Sequence, residues 1–241
     1  MWRLRQVLLL LLSFSSAQTD PLRSQIVGGH EAKPHSRPYM AYLRSPVSSC
    51  GGFLVAPQWV MTAAHCVGNF IVILGAHNIS AEEPSRQVFS IEANYPHPEY
   101  DGSTTSNDIR LLKLNSKATL NKYVNTLSLP TFNFDLSHGT SCSVAGWGRV
   151  YKDWSPDTLY EINVAIYNRW WCSRWYTNLN YGKVCAGRPG EPEDSFKGDS
   201  GGPLVCDGVA EGIVSYGKPC PPGVYTRVAQ YLDWIKETMK R

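Results

Sequence analysis

The sequence predicts an all-β fold that ends in a single α-helix. From Ile26 onward, short apolar runs of strand length alternate with Gly, Pro, Asn and Asp, as in NFIVILGAHN and EGIVSYG. Eight Trp, thirteen Tyr, twenty Gly and sixteen Pro among 241 residues suit short strands and many turns better than long helices. Only residues 228–240 repeat apolar side chains at helical spacing. With 43% hydrophobic and 18% charged residues, the chain can bury a core and is not expected to be disordered.

The first segment of the chain, MWRLRQVLLLLLSFSSAQ, has the pattern of a secretory signal peptide. Arg3 and Arg5 precede an apolar run over residues 7–12, and the small residues that follow predict cleavage after Ala17. A membrane anchor would need about 18 to 20 apolar residues, and this run is much shorter. We therefore expect a secreted protein without a membrane anchor.

Cysteine number, charge and ligand spacing limit the expected partners. Seven cysteines in a secreted chain predict disulfides with one cysteine left over. No group of residues has the spacing of a zinc site, so no metal or other cofactor is expected. The net charge of +3 falls to +1 without residues 1–25, because 20 basic and 19 acidic side chains remain. This balance argues against nucleic-acid binding. The sequon at Asn78 predicts a glycan.

Three local sequence contexts could supply a nucleophile, a base and an acid. GDSGGP presents Ser200 on a glycine-rich turn, MTAAHC places His65 beside a cysteine, and SNDIRLLKL puts Asp108 at the start of an apolar strand. A serine hydroxyl is a poor nucleophile at neutral pH and needs a histidine base that a buried carboxylate orients. A lone histidine is more often a surface or core residue than a base. The three contexts together nevertheless predict nucleophilic catalysis.

These contexts resemble the chymotrypsin family of serine proteases. IVGG at residues 26–29 and GDSGGPLVC occur with the His65 and Asp108 contexts, and the chain order His, Asp, Ser matches this family rather than subtilisins or α/β-hydrolases. SFKGDSGG is similar to the granule-stored leukocyte and mast-cell branch, which includes granzymes, chymase, cathepsin G and neutrophil serine proteases. Three further motifs follow in family order: AGWG at residues 145–148, GIVSYG at residues 212–217 and DWI at residues 233–235.

The resemblance implies two packed antiparallel six-stranded β-barrels with the active site in the cleft between them. His65 and Asp108 would come from the first barrel and Ser200 from the second. Ser200 would attack the scissile carbonyl, His65 would transfer the proton, and Asp108 would orient the imidazole. The backbone N–H groups of Gly198 and Ser200 would form the oxyanion hole.

The expected domain organisation has three parts. Residues 1–17 would be the signal peptide, residues 18–25 an activation propeptide and residues 26–241 the protease domain. Within that domain, the N-terminal barrel would span about residues 26–131 and the C-terminal barrel about residues 132–241.

The resemblance also implies a zymogen. Cleavage before Ile26 would free an ammonium group that pairs with Asp199, buried beside Ser200, and this ion pair would order the oxyanion hole. Gln25 rather than Lys or Arg precedes the cleavage site. We therefore expect an activating protease to cut after Arg23 and a dipeptidyl peptidase to remove the remaining dipeptide.

Substrate preference is expected to depend on Asp194, six residues before Ser200, where the family places the floor of its primary specificity pocket. A carboxylate there favours Arg or Lys, because a desolvated cation needs an anionic partner. Ser195 would add a polar group, and Gly217 and Gly223 would form the pocket walls. The alternative is a solvated acidic loop with chymotrypsin-like specificity, since related granule proteases often lack this acid.

The resemblance also implies a disulfide pattern. Cys220 would remain single because Phe196 occupies the position of its usual partner, and it could be a free thiol or an intermolecular link. The six remaining cysteines would pair as Cys50–Cys66, Cys142–Cys206 and Cys172–Cys185.

The predicted function is that of a secreted or granule-stored serine endopeptidase that cleaves after Arg or Lys through an acyl-enzyme. The alternative from another class is a non-catalytic homologue that acts as a binding or antimicrobial protein, which the presence of all three triad residues disfavours. The expected partners are protein or peptide substrates, protein protease inhibitors and an activating protease. The chain is expected to be a monomer.

Overall fold

The computed structural model describes residues 29–148, 156–177, 179–188, 199–217 and 222–241. Within these residues, the chain forms thirteen β-strands and two short α-helices. All of the strand pairings between neighbouring strands are antiparallel.

The first half of the chain forms a closed six-stranded barrel. The strands before and within it are β1 (His30–Glu31), β2 (Met40–Arg44), β3 (Ser49–Ala56), β4 (Trp59–Thr62), β5 (Ile71–Leu74), β6 (Gln87–Pro96) and β7 (Arg110–Leu114). The barrel closes in the order β2–β3–β4–β7–β6–β5. Phe53, Leu54 and Met61 are fully buried in its interior. On the outside of the barrel, Met40 and Ile73 pack with Trp147 of the second half, so part of the outer face is buried as well.

The second half of the chain forms another six-stranded barrel. Its strands are β8 (Ser141–Gly146), β9 (Tyr160–Tyr167), β10 (Lys183–Gly187), β11 (Pro203–Cys206), β12 (Val209–Tyr216) and β13 (Gly223–Arg227). They follow the order β9–β10–β13–β12–β11–β8, and pairing of β8 with β9 closes the barrel. Strand β1 adds to the outside of β9, with His30 opposite Glu161. The predicted fold class of two antiparallel six-stranded barrels is confirmed.

The helix predicted over residues 228–240 is present in a modified form. A 3₁₀ helix at Val228–Tyr231 leads into α2 (Leu232–Thr238), whose buried Ile235 packs with the core of the first barrel. Helix α1 (Arg169–Cys172) was not predicted, because four residues are too few to show helical periodicity. No helix in the described part of the chain is long and apolar enough to cross a membrane.

Disulfides cross-link both halves of the fold. The structure contains Cys50–Cys66 in the first barrel, and Cys142–Cys206 and Cys172–Cys185 in the second. Cys220 and Phe196 lie outside the described residues.

Candidate active site

His65 and Asp108 are brought together by the register of two neighbouring strands. Thr62 at the end of β4 lies opposite Arg110 at the start of β7, so the segments that continue from these strands meet at the same rim of the barrel. His65 Nδ1 is 2.7 Å from Asp108 Oδ2, and the backbone N–H of His65 donates to Asp108 Oδ1 at 2.9 Å. The His65 side chain is 29% exposed, whereas that of Asp108 is fully buried. The pair therefore presents an accessible imidazole with a buried carboxylate behind it.

The second barrel supplies the remaining partners of Asp108. The hydroxyl of Ser215 on β12 donates to Asp108 Oδ2, and the hydroxyl of Thr226 on β13 donates to the Asp108 carbonyl at 2.8 Å. Burial alone would raise the pKa of Asp108, but the hydrogen bonds and charge of His65, together with the Ser215 hydroxyl, hold that pKa below its ordinary value. An ionised carboxylate can only accept, so the shared proton lies on His65 Nδ1 and leaves Nε2 free to act as a base.

The turn that carries Ser200 requires glycine. Gly201 has φ +86°, which is in the left-handed region that side chains disfavour. A Cβ at this position would lie 2.1 Å from Thr62 Oγ1 and 2.5 Å from the carbonyl oxygen of Gly51. The turn therefore packs directly against the first barrel, beside the strand that leads to His65.

Backbone contacts fix Ser200 to the histidine segment. The N–H of Gly51 donates to the carbonyl of Ser200 at 2.8 Å. Gly51 follows Cys50, and the disulfide from Cys50 reaches Cys66, the residue after His65. Among the hydrogen bonds of the described residues, none joins the Ser200 hydroxyl to the His65 ring. Such catalytic contacts often tighten only when substrate is bound.

Asp199, immediately before Ser200, is a buried acid with one unsatisfied oxygen. The N–H of Gly148 donates to its Oδ1 at 2.6 Å, while Oδ2 has no hydrogen-bond partner among the described residues. Burial raises the pKa of Asp199 to about 6, although the Gly148 hydrogen bond acts to lower it. Ideal Cβ atoms on Gly146 and Gly148 would lie 1.9 and 2.6 Å from Oδ1. The two glycines of AGWG are therefore needed to make room for this carboxylate.

The structure describes part of the expected specificity pocket. Tyr216 lies opposite Val224 in the pairing of β12 with β13, and a Cβ on Gly217 would lie 3.6 Å from the Cα of Gly223, so the two glycines are neighbours at the same end of these paired strands. Four further candidates fall outside the described residues: Ile26, Asp194, Ser195 and Gly198.

The structure also describes the predicted glycan site. Asn78 is partly exposed, and its side-chain oxygen accepts from the N–H groups of Ser80 and Ala81 at 2.9 and 3.1 Å. These bonds hold the sequon in a local turn.

Comparison with known proteins decides the family. The family model described as Trypsin matches residues 26–235. The chain belongs to the trypsin family of serine proteases. Duodenase-1 of Bos taurus is 47% identical over 98% of this chain and 97% of its own length. Granzyme-like protein 1 of Rattus norvegicus is 48% identical over 98% of this chain and 99% of its own length. A solved structure named "Structure of GrC" has a TM-score of 0.83 and 44% identity, and the match covers 89% of this chain and 99% of that chain.

These similarities confirm the predicted resemblance to granule-stored chymotrypsin-like serine proteases. This member of the trypsin family is accordingly a serine endopeptidase, and so a hydrolase of peptide bonds.

Three residues of this protease's site were not predicted. Arg110, 6% exposed, donates from a terminal guanidinium nitrogen to the carbonyl of Ala64 at 2.7 Å and so fixes the segment before His65. The other two are Ser215 and Thr226, which hold Asp108. Ser215 lies inside GIVSYG and Arg110 inside SNDIRLLKL, so both lie in motifs that carry the family resemblance. Their roles depend on which strands pack together, which the motifs alone do not specify.

Proposed function

We propose that this serine endopeptidase cleaves after Arg or Lys through an acyl-enzyme, and that it is secreted or stored in granules. The observation that carries the mechanism is the buried Asp108 hydrogen-bonded to His65, beside the turn that holds Ser200. Because Asp108 keeps the proton on Nδ1, His65 Nε2 accepts the Ser200 proton as the hydroxyl oxygen attacks the scissile carbonyl. His65 then gives that proton to the leaving amine as the C–N bond breaks. Water then attacks the resulting ester while His65 Nε2 accepts its proton, and His65 returns that proton to the Ser200 oxygen as the ester C–O bond breaks.

Charge that develops on the carbonyl oxygen would be held by the backbone N–H groups of Gly198 and Ser200. Loss of one such donor raises the barrier by about 2.7–4 kcal/mol. The left-handed conformation of Gly201 supports this proposal, because it turns the chain sharply just after Ser200.

Activation would use the unsatisfied oxygen of Asp199. Removal of residues 1–17 and then of residues 18–25 would leave a protease domain that begins at Ile26. The new ammonium group would pair with Asp199 Oδ2, which is buried and without a partner among the described residues. Burial of an unpaired carboxylate costs free energy, and this ion pair would remove that cost. Formation of the ion pair would therefore stabilise the ordered conformation of the adjacent oxyanion hole. Sequencing of the active protein is expected to begin at Ile26, and any other N-terminus would contradict this route.

Preference for Arg or Lys would come from Asp194 and Ser195 at the base of a pocket whose walls are Gly217 and Gly223. The two glycines support a pocket open to a long side chain, because neither carries a side chain that would occupy space in it. The expected partners are protein substrates, protein inhibitors and the activating protease.

Two experiments test this function. A fluorophosphonate probe is expected to label the activated protein and the control Ser90→Ala, which changes an exposed serine on β6, but not Ser200→Ala. Ser200→Ala should also lower kcat by about 10⁶-fold. Labelling that persists in Ser200→Ala would contradict the assigned nucleophile.

The specificity test compares reporter amides that end in Arg, Lys, Phe or Leu. Asp194→Ser is expected to reduce Arg cleavage by about 10²-fold or more, because a buried cation loses its partner. Glu191→Gln is the matched control and should change little if Asp194 forms the pocket floor. Wild-type cleavage after Phe or Leu but not Arg or Lys would refute the assignment. Expression from a secretory cell line, with assay of medium and granule fractions, tests the location.

A further inference from the structure

Three tryptophans lie exposed on and just after helix α1. Trp170, Trp171 and Trp175 are 63%, 51% and 48% exposed. The Arg174 guanidinium lies 5.0 Å from the centre of the Trp170 ring and 5.9 Å from that of Trp171. These four residues form the Trp–Arg surface. Exposed aromatic side chains in a cluster mark an interaction surface, since indole rings gain much free energy when they are buried.

The Trp–Arg surface is held rigidly. Cys172, which directly follows Trp171, is fully buried and bonded to Cys185 on β10. Asn168 accepts from the Trp170 N–H at 2.8 Å, and the Ser173 hydroxyl donates to the Trp170 carbonyl at 2.8 Å. A partner would therefore bind a preformed surface and lose little free energy in ordering it.

The charge of the surface indicates the chemistry of its partner. Arg169, on the same helix, forms an ion pair with Asp135 at 3.0 Å. Arg174 has no carboxylate within ion-pair distance among the described residues. A guanidinium beside aromatic rings is weakly hydrated and can bind a carboxylate through two parallel hydrogen bonds. The partner that fits is an acidic side chain with apolar neighbours to cover the indoles.

The surface is continuous with the active site. Trp175 lines a cavity of about 320 Å³ together with Thr104, Thr105 and Tyr216. Tyr216 follows Ser215, whose hydroxyl donates to Asp108. The cavity therefore connects the segment beside the catalytic acid with Trp175, which directly follows Arg174 in the chain.

A buried lysine holds the two walls of this cavity together. Lys183 Nζ donates to the Thr104 carbonyl at 2.9 Å and to the Tyr216 hydroxyl at 3.2 Å. Thr104 belongs to the first half of the fold and Tyr216 to the second, so the cavity has walls from both. A polypeptide that crosses the cavity would meet a surface of fixed shape.

We propose that the Trp–Arg surface is an exosite that binds the substrate polypeptide through an acidic side chain with apolar neighbours. This inference rests on the proposed endopeptidase function. The acidic residue would lie some residues away from the cleaved bond, because the cavity separates the surface from the catalytic acid. The exosite selects among polypeptides that share the same cleaved residue.

The test uses internally quenched peptides that share one Arg cleavage site and carry Leu-Glu or Leu-Gln at each other position in turn. For one placement of the pair, wild-type kcat/KM is expected to be about threefold higher with Glu than with Gln, as a partly exposed ion pair allows. Arg174→Gln should abolish this difference. Arg44→Gln, which changes an exposed arginine on β2, should retain it. A short Arg reporter amide should be hydrolysed equally by all three proteins.

A binding measurement separates this inference from the proposed function. Calorimetry with the Ser200→Ala protein should show tighter binding of the Glu peptide, and Arg174→Gln in the same background should remove the difference. Failure to hydrolyse any reporter would count against the proposed function, while this binding difference would still support the exosite. Equal rates and equal binding for Glu and Gln peptides at all positions would overturn the exosite. Binding to phosphatidylserine vesicles that Trp170→Ser abolishes, without any Glu preference, would assign the surface to membranes instead.

Discussion

Asp108 and Asp199 are both buried carboxylates beside the same active site, yet their electrostatic states are opposite. Both oxygens of Asp108 accept hydrogen bonds, and its pKa lies below the ordinary value. Asp199 has one oxygen bonded to the Gly148 N–H and one without a partner among the described residues, and its pKa is raised to about 6. Burial acts in the same direction on both groups, so the partners decide the difference. Asp108 has the partners it needs in the folded chain, whereas no cation pairs with Asp199 among the residues that the structure describes.

Asp108→Asn is expected to cause the largest loss of activity among the variants that test this difference. Its amide oxygen would keep the bond from the His65 backbone N–H, which turns the amide NH₂ towards the imidazole. The NH₂ would then donate to Nδ1, leave the ring proton on Nε2 and prevent His65 from accepting the Ser200 proton. We expect kcat to fall by about 10⁴-fold with the fold intact. Reporter hydrolysis and near-ultraviolet circular dichroism measure the two quantities, and a loss below about tenfold would contradict the role of Asp108.

Asp199→Asn tests the other carboxylate, and its effect on catalysis is expected in the processed protein. In protein that begins at Ile26, the amide cannot form the ion pair, so the oxyanion hole is expected to lose order. We expect kcat/KM to fall by about 10²- to 10³-fold, the effect of losing an oxyanion donor. Peptide aldehyde inhibitors, which mimic the tetrahedral intermediate, should weaken by a similar factor. Unchanged aldehyde affinity in the processed variant would show that Asp199 does not order the hole.

The pH dependence of stability sharpens the comparison in the unprocessed precursor. The pKa of Asp199 is about 6 in the folded chain against an ordinary 3.8, so the folded state holds the proton more tightly than the unfolded state. The free energy of unfolding should therefore decrease as pH rises from about 4 to 6, and this group alone should account for about 3 kcal/mol. Asp108 acts in the opposite sense, because its pKa is lower in the folded chain than in the unfolded chain. Its ionised form stabilises the fold at pH values above the ordinary pKa of an aspartate, and this contribution is lost as pH falls.

Urea unfolding of the Ser200→Ala precursor, with and without Asp199→Asn, measures this contribution. The stability difference between the two proteins should change across the pH window, because all other titrating groups are shared and cancel. Two parallel pH profiles would contradict the raised pKa of Asp199.

The sequence predicted the two carboxylates of this site but not the partners that set their charge. The motif around Asp108 identified the residue, and GDSGGP identified Asp199, because both belong to short patterns that a single chain segment contains. The partners that set their charge come from elsewhere. Ser215 reaches Asp108 across the contact between the barrels, and Gly148 reaches Asp199 from a segment 51 positions away. Such contacts depend on strand register and packing, which short motifs do not encode.

The Trp–Arg surface is a second feature that the sequence did not predict. Its four residues stand within the sequence RWWCSRW, and the sequence alone does not indicate which of these side chains are exposed. The Cys172 disulfide and the short helix turn Cys172 inward and leave the indoles exposed. Exposure of this kind follows from one cross-link, and no periodicity in the sequence predicts it.

Ser215→Ala is expected to have the smallest effect on activity. It makes Asp108 more like Asp199, because it removes one hydrogen-bond donor from the carboxylate. It removes one of the hydrogen bonds to Asp108 Oδ2 and leaves those of His65 in place, so the carboxylate should stay ionised at neutral pH. We expect kcat/KM to fall by about fivefold, equivalent to one hydrogen bond of about 1 kcal/mol. Thr226→Val is the matched control, because its hydroxyl bonds the Asp108 carbonyl rather than the carboxylate. Both variants should lose similar stability, but only Ser215→Ala should raise the pKa of Asp108, which carbon-13 NMR of its carboxyl group measures. Equal Asp108 pKa values in the two variants would mean that His65 alone keeps Asp108 charged.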